Sequence, residues 1–294
     1  MKPPRFAYHD PTTRDEALAL LAIYADDAKL LAGGQSLVPL LNMRLTQPAH
    51  LIDLNRVADL TYIRAVDGGL AIGALTRHRV AEHSALVRPC CPLLAAALPF
   101  IGHPPIRSRG TIGGSLAHAD PAAELPAVLL ALGGHVRVTS QHGSRILPAH
   151  ELFLDQLQTA LTSDELLTEV WFPNAPPRSG VAFVEVSRRH GDYALVGVAA
   201  QLTLQHDNAI AAAQLALLGV DATPVRPSEA EALLLGEQPT EALFKMVAEQ
   251  VSAGLNPMTD LHASSDYRRQ VAAVLVKRAL QAAVQHALQG ERDD

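Results

Sequence analysis

The chain has 294 residues, 48% of them hydrophobic and 18% charged, with a net charge of −6. Such a composition supports a sizeable core and argues against disorder; without a basic excess, the chain offers no electrostatic footprint for nucleic acid or an anionic membrane. No apolar run reaches the roughly 18 residues of a membrane span, and Met1-Lys2-Pro3-Pro4-Arg5-Phe6 lacks the apolar stretch of a secretory signal. The length suggests about two domains. The two cysteines are the neighbours Cys90 and Cys91. Adjacent cysteines rarely bond each other, so they read as buried thiols in a reducing cytoplasm. They are too few for an iron–sulfur cluster, which needs about four thiolates.

In chain order, Thr13-Arg14-Asp15-Glu16 predicts a capping box opening a helix with Ala17, Leu18, Leu21, Tyr24 and Ala25 on one face. Lys29-Leu30-Leu31 reads as a strand feeding into Ala32-Gly33-Gly34-Gln35-Ser36, followed by a short helix over 37–44. A second strand at 51–54 completes a small α/β unit ending near residue 57. Segments 62–66 and 70–74, joined by Asp67-Gly68-Gly69, form the clearest hairpin. Helices are expected over 79–86 and 92–99. Pro104 and Pro105 predict an extended approach to a turn at Thr111-Ile112-Gly113-Gly114-Ser115. Pro121-Ala122-Ala123-Glu124 predicts a helix through Leu130. Strands follow at 135–139, before a turn at His142-Gly143, and at 166–172.

Pro173-Asn174-Ala175-Pro176-Pro177-Arg178-Ser179-Gly180 has the composition of a domain boundary. It divides the chain into 1–177, with subdomains of about 1–57 and 58–177, and 178–294. Beyond it, strands are expected at 181–186, 195–204 and 214–220, with a turn at Asp207-Asn208. Ser228-Glu229-Ala230-Glu231 predicts a second capping box, and helices follow over 242–255 and 266–288. Three strands and then three helices imply an α+β domain with helices on one face of a sheet. The tail Glu291-Arg292-Asp293-Asp294 is charged and expected to fray.

The chemistry concentrates at two double-glycine corners. Paired glycines free the backbone to take positive φ and leave amides unshielded, and N–H groups turned the same way form an anion-binding nest. Two such corners, each with a nearby serine, suit a diphosphate gripped from two sides; the alternative is a pair of ordinary turns. No G-x-G-x-x-G follows a strand, and no P-loop, H-E-x-x-H, C-x-x-C or G-x-S-x-G occurs. No metal ligands are predicted. His103 and His118 flank the second corner, where the default is a solvated or locally bonded imidazole. Arg107 and Arg109 either bind phosphate or neutralise Asp120 and Glu124; both alternatives stay open.

The corners, with Ile106-Arg107-Ser108-Arg109-Gly110 leading into the second and His118-Ala119-Asp120-Pro121 following it, closely resemble the FAD-binding medium subunit of molybdenum hydroxylases. That family includes the medium subunit of carbon monoxide dehydrogenase and the flavin domain of xanthine dehydrogenase. Ser187-Arg188-Arg189-His190-Gly191-Asp192-Tyr193-Ala194-Leu195-Val196, Gly236 after three leucines, and Tyr267-Arg268-Arg269 resemble the family's C-terminal domain. The resemblance covers nearly the whole chain. It implies an α+β fold: a two-subdomain FAD-binding domain of the vanillyl-alcohol-oxidase (PCMH) type, then an α+β C-terminal domain. It also implies non-covalent FAD, with the diphosphate held by Ala32, Gly33, Gly34, Gln35 and Ser36 and by Thr111, Ile112, Gly113, Gly114 and Ser115. Glu124 would bond the adenosine part, and Leu166 would contact the adenine end. Ile101 and Tyr193 match positions over and beside the isoalloxazine ring, making Tyr193 the candidate catalytic side chain; the alternative is a core tyrosine at a strand end. Glu185 departs from relatives that carry a cofactor-contacting lysine there, and Ser115 from relatives with asparagine.

The implied activity is that of an oxidoreductase subunit. Electrons would arrive from 2Fe–2S clusters on a small subunit, fed by a molybdopterin centre on a large subunit. They would leave through FAD to an external acceptor. The expected assembly is a cytoplasmic dimer of heterotrimers, with this chain inactive alone on the organic substrate. Two other classes compete: a flavin-independent assembly subunit, and a self-contained flavin oxidase.

Overall fold

In this computed structural model, which describes residues 2–293 with side chains to 289, the first segment folds around a helix that its sequence caps twice. Thr13 Oγ1 accepts from the Glu16 amide at 3.2 Å, and the Glu16 carboxylate accepts from the Thr13 amide at 3.3 Å. The helix, α1 (Arg14–Tyr24), buries Ala17, Leu18 and Leu21. Its neighbours β1 (Ala7–His9), β2 (Ala28–Leu31) and β3 (His50–Asp53) form a parallel sheet in the order β1-β3-β2. A short helix, α2 (Leu37–Met43), crosses between β2 and β3. Ala17, Leu18, Leu21, Ala28 and Ile52 from these elements form a small core with Leu75 and Leu166 from later in the chain.

The next sheet is antiparallel and five-stranded. The hairpin β4 (Ile63–Val66) and β5 (Gly69–Gly73) forms as expected. β5 pairs with β10 (Leu166–Pro173), which pairs with β6 (His135–Ser140), and β6 with β7 (Gly143–Pro148). Between β5 and β6 run α3 (His78–Glu82), α4 (Val87–Cys90), α5 (Pro92–Ala97), α6 (Pro104–Arg109), α7 (Ile112–His118) and α8 (Glu124–Leu132). Before β10 come a single turn, α9 (Ala149–Leu152), and a minor ladder of β8 (Phe153–Asp155) with β9 (Gln158–Thr159). Every residue of α8 is buried. A helix apolar all round requires covering on more than one side.

That cover is the last part of the chain. β11 (Ser179–Ser187), β12 (Ala194–Leu204) and β13 (Ile210–Leu218) form an antiparallel sheet, followed by α10 (Ser228–Ala232), α11 (Glu241–Gly254) and α12 (Ser265–Asp293). The long helix packs on β11 and β12. The sheet's other face lies on α5 and α8, so Val181, Phe183, Ala199, Ala216 and Leu218 join the core of the preceding part. The three helices that follow the sheet share a core with its first face, as expected; the second face is covered by the preceding part. β12 is buried over almost its whole length because neither of its faces meets solvent.

Five local expectations also change. Pro104 and Pro105 do not force extended chain; they occupy the first turn of α6, where amides need no intrahelical acceptor and proline fits. The stretch after Thr111 is not a turn but the start of α7, with Thr111 Oγ1 accepting from the Gly114 amide at 3.1 Å. The helix expected from Pro121 begins at Glu124, and the one expected over 79–86 ends at Glu82. The second capping box does not form. The Glu231 carboxylate is drawn to the Leu215 amide (2.6 Å) and Arg226 (3.1 Å), and Pro227 precedes the helix without a side-chain cap. Asp294 and the side chains of the charged tail lie outside the described residues. Among the described residues no helix is long and apolar enough to cross a membrane.

Candidate functional site

Both glycine corners open into one cleft of about 550 Å³, within the size range of cofactor sites. The first corner follows β2 directly. Gly34 takes φ +73°, which turns the chain out of the sheet and into α2. Gly33 lies against the other corner, where a Cβ would stand 2.5 Å from the Arg109 carbonyl oxygen and 2.8 Å from the Gly110 Cα. Gly114 faces Ala32 across the same gap. The corners are therefore neighbours, and absent side chains let them approach.

Their backbone amides differ. Among the described residues, the N–H groups of Gly33, Gly34, Gln35 and Ser36 donate to no protein acceptor. In the second corner they are committed: Ile112 to the Thr76 carbonyl (3.0 Å), Gly113 to the Ala74 carbonyl (2.9 Å), Gly114 to Thr111 Oγ1 and Ser115 to the Thr111 carbonyl (3.1 Å). The expectation of two equivalent nests is corrected to one open nest facing a glycine surface. The Thr76 and Ala74 carbonyls and the Thr111 cap take up its donors.

Most other candidates meet here. Thr111, Gly113, Gly114 and Ser115 line the cleft with all five residues from Ala32 to Ser36. Ile101, Glu124, Leu166 and Tyr193 also line it. Ile112 does not share it: its side chain is fully buried in the core. Glu185 also lies outside the lining, on β11. Its Oε2 is buried without a hydrogen-bond partner, and burial, with Glu124 nearby, pushes its carboxyl up to about 8. Burial likewise raises Glu124 to about 7, with Asp120 adding to the rise and a hydrogen bond from its own amide opposing it. The Tyr193 phenol is raised by desolvation and by Asp120, and it interacts with Ser36. The residue is 57% exposed because it stands in an open cleft.

The open questions over charge resolve unequally. Arg107 is buried and structural: it pairs with Glu82 at 2.9 Å and donates to the carbonyls of Pro99, Ile101 and Gly102. It neither lines the cleft nor neutralises Asp120 or Glu124. Arg109 is exposed, and among the described residues its guanidinium makes no hydrogen bond or ion pair. His118 lines the cleft, half-buried and shifted down by desolvation. His103 is exposed and packs beside Gly191. His78, which the sequence reading passed over, also lines the cleft. It is buried, and its Nε2 bonds the Thr111 carbonyl at 2.9 Å. Burial drives it down to about 4, so it stays neutral. Only its place after the β4–β5 hairpin, opposite the second corner, could have flagged it. Among the described residues no group of histidine, cysteine or carboxylate side chains could hold a metal ion.

These observations fit a dinucleotide with a diphosphate: an open nest, a surface without Cβ atoms, an apolar wall and a buried carboxyl within one cleft. Comparison with known proteins agrees. A family model described as the FAD binding domain in molybdopterin dehydrogenase matches residues 4–175, and one for the CO dehydrogenase flavoprotein C-terminal domain matches 181–283. The 6-hydroxypseudooxynicotine dehydrogenase complex subunit alpha of Paenarthrobacter nicotinovorans is 45% identical over 98% of this chain and 97% of its own. The carbon monoxide dehydrogenase structure from Hydrogenophaga pseudoflava superposes with a TM-score of 0.94 at 38% identity, covering 97% of this chain and 99% of that one. Quinoline 2-oxidoreductase from Pseudomonas putida 86 gives 0.93 at 37% identity, covering 98% and 100%. The chain belongs to the FAD-binding medium subunits of CO dehydrogenase-type molybdenum hydroxylases.

Proposed function

We propose that this chain relays electrons within a heteromeric molybdenum hydroxylase, from iron–sulfur clusters on a small partner subunit to an acceptor outside the complex. A large molybdopterin subunit would oxidise the organic substrate, and the whole would be a dimer of heterotrimers. FAD supplies the capacity to take up electrons singly or in pairs and pass them on. The chain's own residues bind and orient it. The unpartnered amides from Gly33 to Ser36 donate to a diphosphate oxygen, with Ser36 and Ser115 hydroxyls at either side. Glu124 presents a buried carboxyl to the adenosine hydroxyls, Leu166 closes the adenine end, and Ile101 keeps water from one ring face. Tyr193 stays a protonated donor at neutral pH, because its phenol is shifted upward. The domains would divide near 177, and the two unpaired thiols suit a reducing cytoplasm.

The row of four open amides, beginning at Gly33 where the two corners meet, carries this reading. Its test is the purified chain. It takes up one FAD, shows no turnover of the organic substrate alone, and gains turnover when the two partner chains are added. A colourless protein that cannot be reconstituted, or substrate turnover by the single chain, refutes it.

A further inference from the structure

Arg77 touches neither open amide nor cleft, yet it reaches both corners. It immediately precedes α3 and forms an isolated antiparallel bridge with Thr111. Its Nη1 donates to the Arg109 carbonyl, the same oxygen that leaves no room for a Cβ on Gly33. Its Nη2 donates to Asn55 Oδ1 at 2.5 Å. Asn55 Nδ2 in turn donates to the Ala32 carbonyl at 3.0 Å, and Asp53 Oδ1 fixes Asn55 through both its backbone and side-chain nitrogens. A continuous relay thus runs from Arg109, beside the second corner, through Arg77 and Asn55 to Ala32, at the start of the first.

We infer that Arg77 is a positioning residue that, through Asn55, clamps the two glycine corners at the separation a diphosphate requires. The inference rests on the reading of both corners as the diphosphate site. The parallel sheet carries the first corner and the helical segment after β5 carries the second, so the spacing depends on links between separate units. A planar guanidinium with diverging donors can hold two acceptors at once, which a lysine ammonium on a flexible stem does less well. A ligand whose phosphates span both corners feels the clamp. A monophosphate that occupies one corner does not.

The test measures FAD and FMN affinity of the flavin-stripped full chain by fluorescence titration, for wild type, R77Q, R77K, N55A and the R77Q/N55A pair. Each single substitution is expected to weaken FAD binding by about tenfold, the loss typical of a charge-assisted hydrogen bond. FMN affinity should change by less than about threefold, and the double variant should lose little beyond either single, because both residues serve one relay. R77K should remain weak. N55A keeps the test alive if R77Q fails to fold, since Asn55 is exposed. Unchanged FAD affinity in N55A, parallel loss of FAD and FMN, multiplicative losses in the double variant, or full rescue by lysine each overturns the clamp. A wild-type chain that binds FAD no better than FMN overturns the diphosphate reading itself, and the clamp with it.

Discussion

At the scale of single residues, the cleft depends on what is missing as much as on what is present. Gly33 abuts backbone rather than a yielding side chain, so G33A must push the corners apart. FAD affinity is expected to fall by about tenfold or more, and the apoprotein to lose about 1–3 kcal/mol of stability, measured by titration and calorimetry. Glu185 bears on pH. Its folded form holds a proton more tightly than the unfolded chain, so burial of the neutral acid costs little below its ordinary range. Stability is then lost as pH rises through about 8. E185Q should match wild type near pH 5 and melt higher near pH 9, in melts of the stripped chain; equal melting at both ends refutes this. The break in regular structure at Gly33-Gly34 was legible because paired glycines favour turns and loops. His78, Arg77 and Asn55 were not, because each acts through a contact far away in sequence: Thr111, Arg109 and Ala32.

Among the elements, those whose signals are local were readable. The capping box at Thr13, the Asp67-Gly68 hairpin and the strands expected at 181–186 and 195–204 formed within a residue or two of expectation, whereas the strand expected at 214–220 runs Ile210–Leu218. Failures came where tertiary contacts claimed a local group. Glu231 had the spacing of a capping carboxylate, but Leu215 and Arg226 hold it instead. Likewise, the Gly113 amide looked open until β5's successor, Ala74, supplied an acceptor. Arg268 shows what such a contact is worth. It sits buried at the start of α12 and donates to the carbonyls of Leu195 and Gly219 and to Asp260, tying the helix to the ends of β12 and β13. R268A strands those acceptors and should destabilise the chain by about 3 kcal/mol, read as a lower denaturant midpoint. A change below about 1 kcal/mol would mean water replaces the guanidinium freely.

For the whole molecule, cofactor and fold are linked. A ligand that binds only the folded chain raises its stability by about 2.7 kcal/mol at a hundredfold excess over Kd. The melting temperature should therefore climb with added FAD and fall when flavin is stripped; a melt insensitive to FAD refutes occupancy of the cleft. The sequence suggested two bodies joined by a proline-rich linker; Pro173 closes β10 and Ser179 opens β11, which leaves 174–178 between them, with Asn174, Pro176 and Pro177 exposed. What no linear pattern disclosed is that Phe183 meets Phe100 across it and that β11–β13 roof α8. The peptide bonds of that linker are accordingly dispensable once folding is complete. A protease nick there should yield two fragments that elute together from a sizing column and still retain flavin, while neither fragment expressed by itself should stay in solution.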